Sequence, residues 1–184
     1  GKSTAFLLLQ EGGAPIPFVN ADLIGKVVGA APSPDVLAQQ IAEVTREHFL
    51  NNPTTFATET VFSDEVGSKL GYLQRAAEKG FRVVLLAVWI PSAALSIARV
   101  RRRVANGGHA VPEAKLARRY VQCMKNLQAA LGFVEAAVVL DNSGAIEEGP
   151  KLVATLNKGR VIWTAANLPK GIADLLPGGG RADT

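Results

Sequence analysis

Nine residues, "RVVLLAVWI" at 82–90, constrain the fold more than any other stretch of the chain. After Arg82 the run is apolar, rich in β-branched residues, and bounded by Gly80 before it and Pro91 after it. Such a run reads as a strand covered on both faces, the condition of a central strand in a parallel sheet. Parallel neighbours cannot be joined by a tight turn, so helical crossovers must flank it.

The neighbouring segments supply those crossovers. "AFLLLQ" at 5–10 reads as the rest of a short buried helix, broken by "EGGAP". "IPFVNAD" at 16–22 fits a buried strand with a loop at its carboxyl end, and "TTFATETVF" at 54–62 a second strand. Between them, 34–50 places Leu37, Ile41, Val44 and Phe49 near helical spacing, which predicts an amphipathic helix. Further helices are expected at 64–80, with Gly80 as the stop, and at 92–105 and 113–131, with a strand in "EAAVVLDNS" at 135–143. Alternation at this rhythm predicts an α/β fold of three layers with a mostly parallel sheet. "KLVATLNKGRVIWTAA" at 151–166 reads as a hairpin turning at Lys158–Gly159, with a helix at 149–156 as the alternative. A single domain over 1–176 and a frayed tail over 177–184, within "LPGGGRADT", complete the expected organisation.

Composition excludes several function classes. The 184 residues suffice for one domain with a core, and 48% hydrophobic against 20% charged residues is ordinary for a chain that folds. One cysteine, Cys123, excludes an internal disulfide framework, and two histidines argue against a dedicated zinc site. No apolar run reaches the roughly 18 to 20 residues that span a bilayer, and the start lacks the pattern of a signal peptide, so a cytoplasmic protein without membrane contact is expected. The net charge of +4 is unevenly spread: Arg99–Tyr120 holds six arginines and one lysine against Glu113 alone. That is an anion-binding segment.

The first four residues show which anion to consider. Gly1, Lys2, Ser3 and Thr4 form the close of GxxxxGK[ST], the loop that cradles phosphates ahead of a helix. In sheets of this kind ligands gather at the carboxyl ends of strands, where this chain puts Asn20 and Asp22, then Glu59 and Thr60, then Asp141 and Asn142. One such residue reads best as a helix cap; three sets beside a lysine favour phosphoryl transfer. In that chemistry Lys2 neutralises phosphate oxygens, Ser3 offers its hydroxyl to Mg²⁺, and Asp22 takes the proton of the attacking hydroxyl. Arg102, Arg103, Arg118 and Arg119 flank "ANGGHAVP" in a lid over about 99–119, hinged at Gly107–Gly108, and stabilise charge on the transferred group. His109, Cys123, Trp89 and Trp163 read as structural or packing residues. An RNA-binding role for the arginines is disfavoured, because aromatics that would stack bases are not interleaved with them.

Taken together, "FVNADLI", "FATETVFS", "VVLLAVWI", "RVRRRVANGGHAVPEAKLARRY" and "VVLDNS", in that order, resemble the zeta toxin family and the small bacterial ATPases grouped with it. The resemblance covers Gly1 to about Ser143, with "GGHAVP" and "RRY" its most specific part. It implies a P-loop NTPase fold and a kinase that phosphorylates a sugar hydroxyl of UDP-N-acetylglucosamine, or of a related nucleotide sugar, from ATP or GTP with Mg²⁺. An antitoxin protein is an implied partner. Lys2 and Ser3 match the family's phosphate-binding lysine and Mg²⁺-binding hydroxyl, Asp22 its activating aspartate, and Glu59 its acceptor-binding glutamate. Asn20 and Thr60 join Glu59 as expected acceptor-binding residues. Arginines near 103 and at 118–119 resemble the two lid arginines, so Arg103 and Arg119 are expected in catalysis and Arg102 and Arg118 at the nucleotide. The strand and first half of the loop expected before Gly1 point to a longer native protein, for which the missing initiator methionine speaks, or to a nucleotide- or partner-binding remnant without transferase activity. RNA-end phosphorylation is the remaining alternative.

Overall fold

The computed structural model describes residues 6, 16–29, 31–105 and 111–180. Gly1, Lys2, Ser3 and Thr4, the Gly107–Gly108 hinge and His109 lie outside the described residues, as does the expected helix at 5–10 apart from Phe6. The chain divides into two compact units, Lys2–Thr60 and Val61–Thr184.

In the first unit, β1 (Phe18–Val19) pairs in parallel with β2 (Ala57–Thr58), with Phe18 opposite Ala57 and Val19 opposite Thr58. Both strands are shorter than their sequences suggest. The loop expected after β1 is instead a helix, α1 (Ala21–Val27), and α2 (Pro34–Asn51) supplies the crossover. Pro34 starts α2 with the fixed φ of a first helical turn. Its buried face is Ala38, Ala42 and Leu50, while Leu37 and Val44 of the expected apolar stripe are exposed, Val44 by 70%. Small residues win the inner face because α1 packs there: a Cβ built on Gly25 of α1 would stand 3.7 Å from that of Ala38. Phe6 stacks on Phe18 with ring centroids 3.8 Å apart.

The second unit holds α3 (Ser68–Glu78), β3 (Val84–Trp89), α4 (Ala93–Ala105), α5 (Glu113–Leu131), β4 (Ala136–Asp141), β5 (Lys151–Asn157), β6 (Arg160–Thr164) and α6 (Lys170–Ala173). Its sheet runs β3-β4-β5-β6, parallel between β3 and β4 and antiparallel across the other two pairs. Parallel pairing is found for β1–β2 and β3–β4, but in place of the one mostly parallel sheet expected the described residues form two, and the four-stranded one is antiparallel at two of its three pairings because the hairpin extends it; 151–157 is strand, not helix. Among the described residues β3 stands at the end of its sheet and β4 takes the interior place expected of β3. Val84, at the start of β3, is exposed accordingly.

The core of this unit packs Trp89, Leu131, Val139, Ala154 and Ile172 between sheet and helices. Trp163, expected to pack, is instead 44% exposed on β6. The hairpin turn uses positive φ at both Lys158 (47°) and Gly159 (75°), the conformation that matches strand twist in a two-residue loop. Gly159 has a second constraint, since a Cβ there would lie 2.6 Å from the Gly132 carbonyl oxygen. Leu176, read as the first residue of the tail segment, is buried, and Gly178 and Gly179 after it take positive φ of 64° and 70°.

Candidate functional site

Parallel register decides where the polar residues after β1 and β2 fall. Ala57 donates its amide to the Pro17 carbonyl at 2.8 Å, and Glu59 to the Val19 carbonyl at 3.1 Å. The Thr58 hydroxyl also donates to the Val19 carbonyl, at 3.0 Å. Asn20 and Glu59 therefore leave the two strands at the same end. The Asn20 Nδ2 donates to Glu59 Oε2 at 3.0 Å.

The other end of the same amide is occupied as well. Asn20 Oδ1 accepts from the amides of Asp22 at 2.8 Å and Leu23 at 3.2 Å, which makes Asn20 the N-cap of α1. Asn20 is only 5% exposed, and its side chain is spent on the cap and on Glu59. A buried amide satisfied on both sides is costly to move, so the carboxylate of Glu59 and the start of α1 are fixed to one point. Asp22 lies within the first turn of α1, not ahead of the helix, and is exposed. A carboxylate in that position is favoured by the helix dipole. Thr60 follows Glu59 and is half-buried.

In the second unit, the expected pair at the end of β4 is locally engaged. Asp141 accepts from the Ser143 amide at 2.8 Å and from its hydroxyl at 3.0 Å, a turn closed on itself. The arginine segment divides by partner. Arg99 donates to the Gly144 carbonyl at 2.9 Å, and Arg101 grips Glu113 at 2.5 and 2.6 Å, tying the end of α4 to the start of α5. Arg102 stands 3.7 Å from Glu147, both exposed. Arg103, also on α4, is exposed. Arg118 and Arg119 are on α5 and border an open cleft together with Asp64, Lys69 and Lys115.

A buried amide organises this region too. Asn126 on α5 donates to the carbonyls of Phe62 at 3.1 Å and Asp64 at 3.0 Å, and accepts from Gln122 at 2.9 Å. Asp64 Oδ2 in turn accepts from the Ser68 hydroxyl at 3.1 Å and the Lys69 amide at 3.2 Å, starting α3. Burial pushes the Asp64 carboxyl up, but these hydrogen bonds and the nearby Lys69 ammonium outweigh it, so the group is held below the usual carboxylate range. The Tyr120 hydroxyl donates to the Ile90 carbonyl at 3.1 Å, and burial raises its pKa.

The sequence marks Asn20, Asp22, Glu59 and Thr60 together, and the structure brings Asn20 into contact with Glu59. Helix capping, weighed in the sequence and set below a ligand role, is what Asn20 does; "NADLI", an asparagine just before a helical run, carried that signal. Asp64, Lys69, Lys115 and Asn126 were not singled out, because nothing local distinguishes them from solvated helix residues. Among the described residues no group of three histidine, cysteine, aspartate or glutamate side chains could hold a metal ion, and no helix is long and apolar enough to cross a membrane. The residues expected at Mg²⁺ and at the phosphate loop are outside the described residues. No family model, curated protein or solved structure matches the chain.

Proposed function

We propose that the protein is an ATP-dependent small-molecule kinase of the zeta toxin type, with a P-loop NTPase fold, acting on a sugar hydroxyl of UDP-N-acetylglucosamine or a related nucleotide sugar. The observation that carries this reading is the Asn20–Glu59 hydrogen bond at 3.0 Å beside the turn that holds Asp22. It supports the reading by setting Glu59 and the start of α1, which carries Asp22, at the carboxyl end of two parallel strands, the place where α/β sheets bind ligands. In the other unit, Arg118 and Arg119 of α5, which enter no ion pair among the described residues, are the cationic groups this reading assigns to phosphoryl transfer.

Lys2 and Ser3 would hold Mg-ATP, which would supply the phosphoryl group. Asp22, exposed at the start of α1, takes the proton from the acceptor hydroxyl as that oxygen becomes a nucleophile. Glu59 accepts a hydrogen bond from a second acceptor hydroxyl and sets its orientation, while Asn20 keeps the Glu59 carboxylate in place. Thr60, next to Glu59 in the chain and half-buried, is assigned to the acceptor with it. Arg118 and Arg119, with Arg102 and Arg103 of α4, neutralise phosphate charge.

The deciding experiment incubates UDP-N-acetylglucosamine and other UDP-sugars with Mg-ATP and the protein, extended upstream by its native sequence where that exists, and reads product mass. One phosphoryl group gained, and lost in Asp22→Asn with nucleotide binding retained, is the expected result. Transfer that survives Asp22→Asn removes Asp22 as the base. Nucleotide binding without transfer to any sugar leaves a binding protein, and transfer to RNA ends moves the acceptor class.

A further inference from the structure

The four-stranded sheet of the unit Val61–Thr184 ends at β6, which pairs with β5 and with no other described strand. Ala165 donates its amide to the Val153 carbonyl at 2.9 Å, and hydrogen-bonded positions alternate along an antiparallel strand, so the N–H and C=O of Thr164 point away from β5. Counted from the other end, where Asn157 and Arg160 flank the two-residue turn, the same alternation directs those of Val161 away as well. Among the described residues no backbone hydrogen bond besides the ladder to β5 reaches Arg160–Thr164, and the segment Pro177–Gly180 that lies beside β6 sends it none. An open edge of this kind offers its backbone to an added strand.

The side chains at this edge are unusual for one that faces only water. Thr155 pairs with Trp163 and Leu156 with Val161, so Ile162 is the extra residue of a bulge. Val161 belongs to the core, whereas Ile162 and Trp163 stand outside it, 60% and 44% exposed. Tryptophan is enriched at the anchoring points of interfaces. Ile162, Trp163 and Thr164 include none of the charges or prolines that blunt an edge, and the bulge confines pairing to a few residues. Arg160, at the start of β6, is exposed and enters no ion pair among the described residues. Because β6 holds no carboxylate, a second copy of this edge would leave that guanidinium unanswered, while an acidic residue answers it.

We propose that the edge of β6 binds an extended acidic segment of another protein. The segment adds a short antiparallel strand, seats apolar side chains against Ile162 and Trp163, and places a carboxylate near its own carboxyl end on Arg160. The hairpin carries none of the residues assigned to phosphoryl transfer, so this surface is independent of the kinase reading.

Titration of the full chain with a short acetylated and amidated peptide, alternating valine with threonine and ending in glutamate, tests it. Saturable binding is expected, with a blue shift of Trp163 emission and slowed exchange of the Thr164 amide; no saturable binding overturns the proposal. Trp163→Ser should weaken binding by about tenfold or more, and unchanged affinity would remove the anchor and the proposal with it. Arg160→Glu exchanges an exposed attraction for a repulsion and should weaken binding by about three- to tenfold. A peptide ending in lysine should restore it, and equal affinity of both peptides for both proteins would overturn the acidic partner. Emission of Trp163 that shifts with protein concentration alone, traced to dimers by sedimentation, would replace that partner by a second copy. Circular dichroism of each variant confirms that the fold is kept.

Discussion

Replacing Asn20 by aspartate separates its two tasks. Asn20→Asp retains an oxygen to cap the amides of Asp22 and Leu23, but exchanges the amide that donates to Glu59 for a second carboxylate oxygen. The wild-type separation at that contact is 3.0 Å. Two ionised oxygens so placed repel by about 5 kcal/mol at an effective dielectric constant of about 20. Taking up one proton is the cheaper escape, and at neutral pH it costs about 4 kcal/mol for a carboxyl of ordinary acidity. The variant should therefore lose about 4 kcal/mol at pH 7 and little near pH 4, where the two carboxylates share a proton. The sign follows from linkage: the folded pair keeps a proton that the unfolded chain releases. Stability is fully present below the unfolded carboxylate range and is lost as pH rises through the raised folded value. Asn20→Ala, in contrast, removes cap and clamp together, at about 1–2 kcal/mol for the cap alone, without that loss on raising pH. Both tryptophans, Trp89 and Trp163, lie in the other unit, so fluorescence would not follow the change. Amide hydrogen exchange at Leu23 and Glu59 between pH 4 and 7.5 is the suitable assay, corrected for intrinsic rates. Protection in Asn20→Asp that tracks wild type across this range would refute the Asn20–Glu59 contact.

Two further outcomes follow from the second unit. Gly159→Ala places a Cβ at positive φ and against the Gly132 carbonyl, so it should destabilise by at least about 2 kcal/mol and lower the melting temperature by several degrees. Lys158→Asn, which installs the preferred Asn-Gly pair, should raise that temperature; a melt in which both are neutral would refute the turn geometry. Asp64, with its pKa lowered by the hydrogen bonds that start α3, contributes stability above its unfolded value near about 4 that is lost as pH falls through the lower folded value. Asp64→Asn should flatten urea-unfolding stability over that acid window relative to wild type, and an unchanged acid limb would show that the carboxylate is not what anchors α3.

Local signals and long-range pairings differ in how plainly the sequence carries them. The helix at 113–131 is legible to its ends because Pro112 and Gly132 punctuate an amphipathic pattern, and the Lys158–Gly159 turn is legible because positive φ selects glycine. The inner face of α2 is not: periodicity offers Leu37 and Val44, and only the approach of α1 selects Ala38 and Ala42. The extents of β1 and β2 are not legible either, since a strand ends where its partner ends. The candidate site has the same difficulty at larger separation. Its residue types can be read from "VNAD" and "TET", yet the Asn20–Glu59 contact spans 39 positions and the Asn126–Asp64 contact 62.

These two asparagines are the buried polar residues among those described, and they hold opposite ends of one short acidic stretch. Asn20 fixes the carboxylate of Glu59, and Asn126 fixes the backbone of Phe62 and Asp64. Neither gains from burial by itself, because an amide removed from water only recovers its cost when every donor and acceptor is met. What the pairings supply is placement. Glu59 is held at a strand end, and Asp64 is held below the usual carboxylate range where it starts α3. Leucine at Asn20 would lose the α1 cap, and at Asn126 it would leave the Phe62 and Asp64 carbonyls without their donor, so both amides are retained for the backbone groups they satisfy.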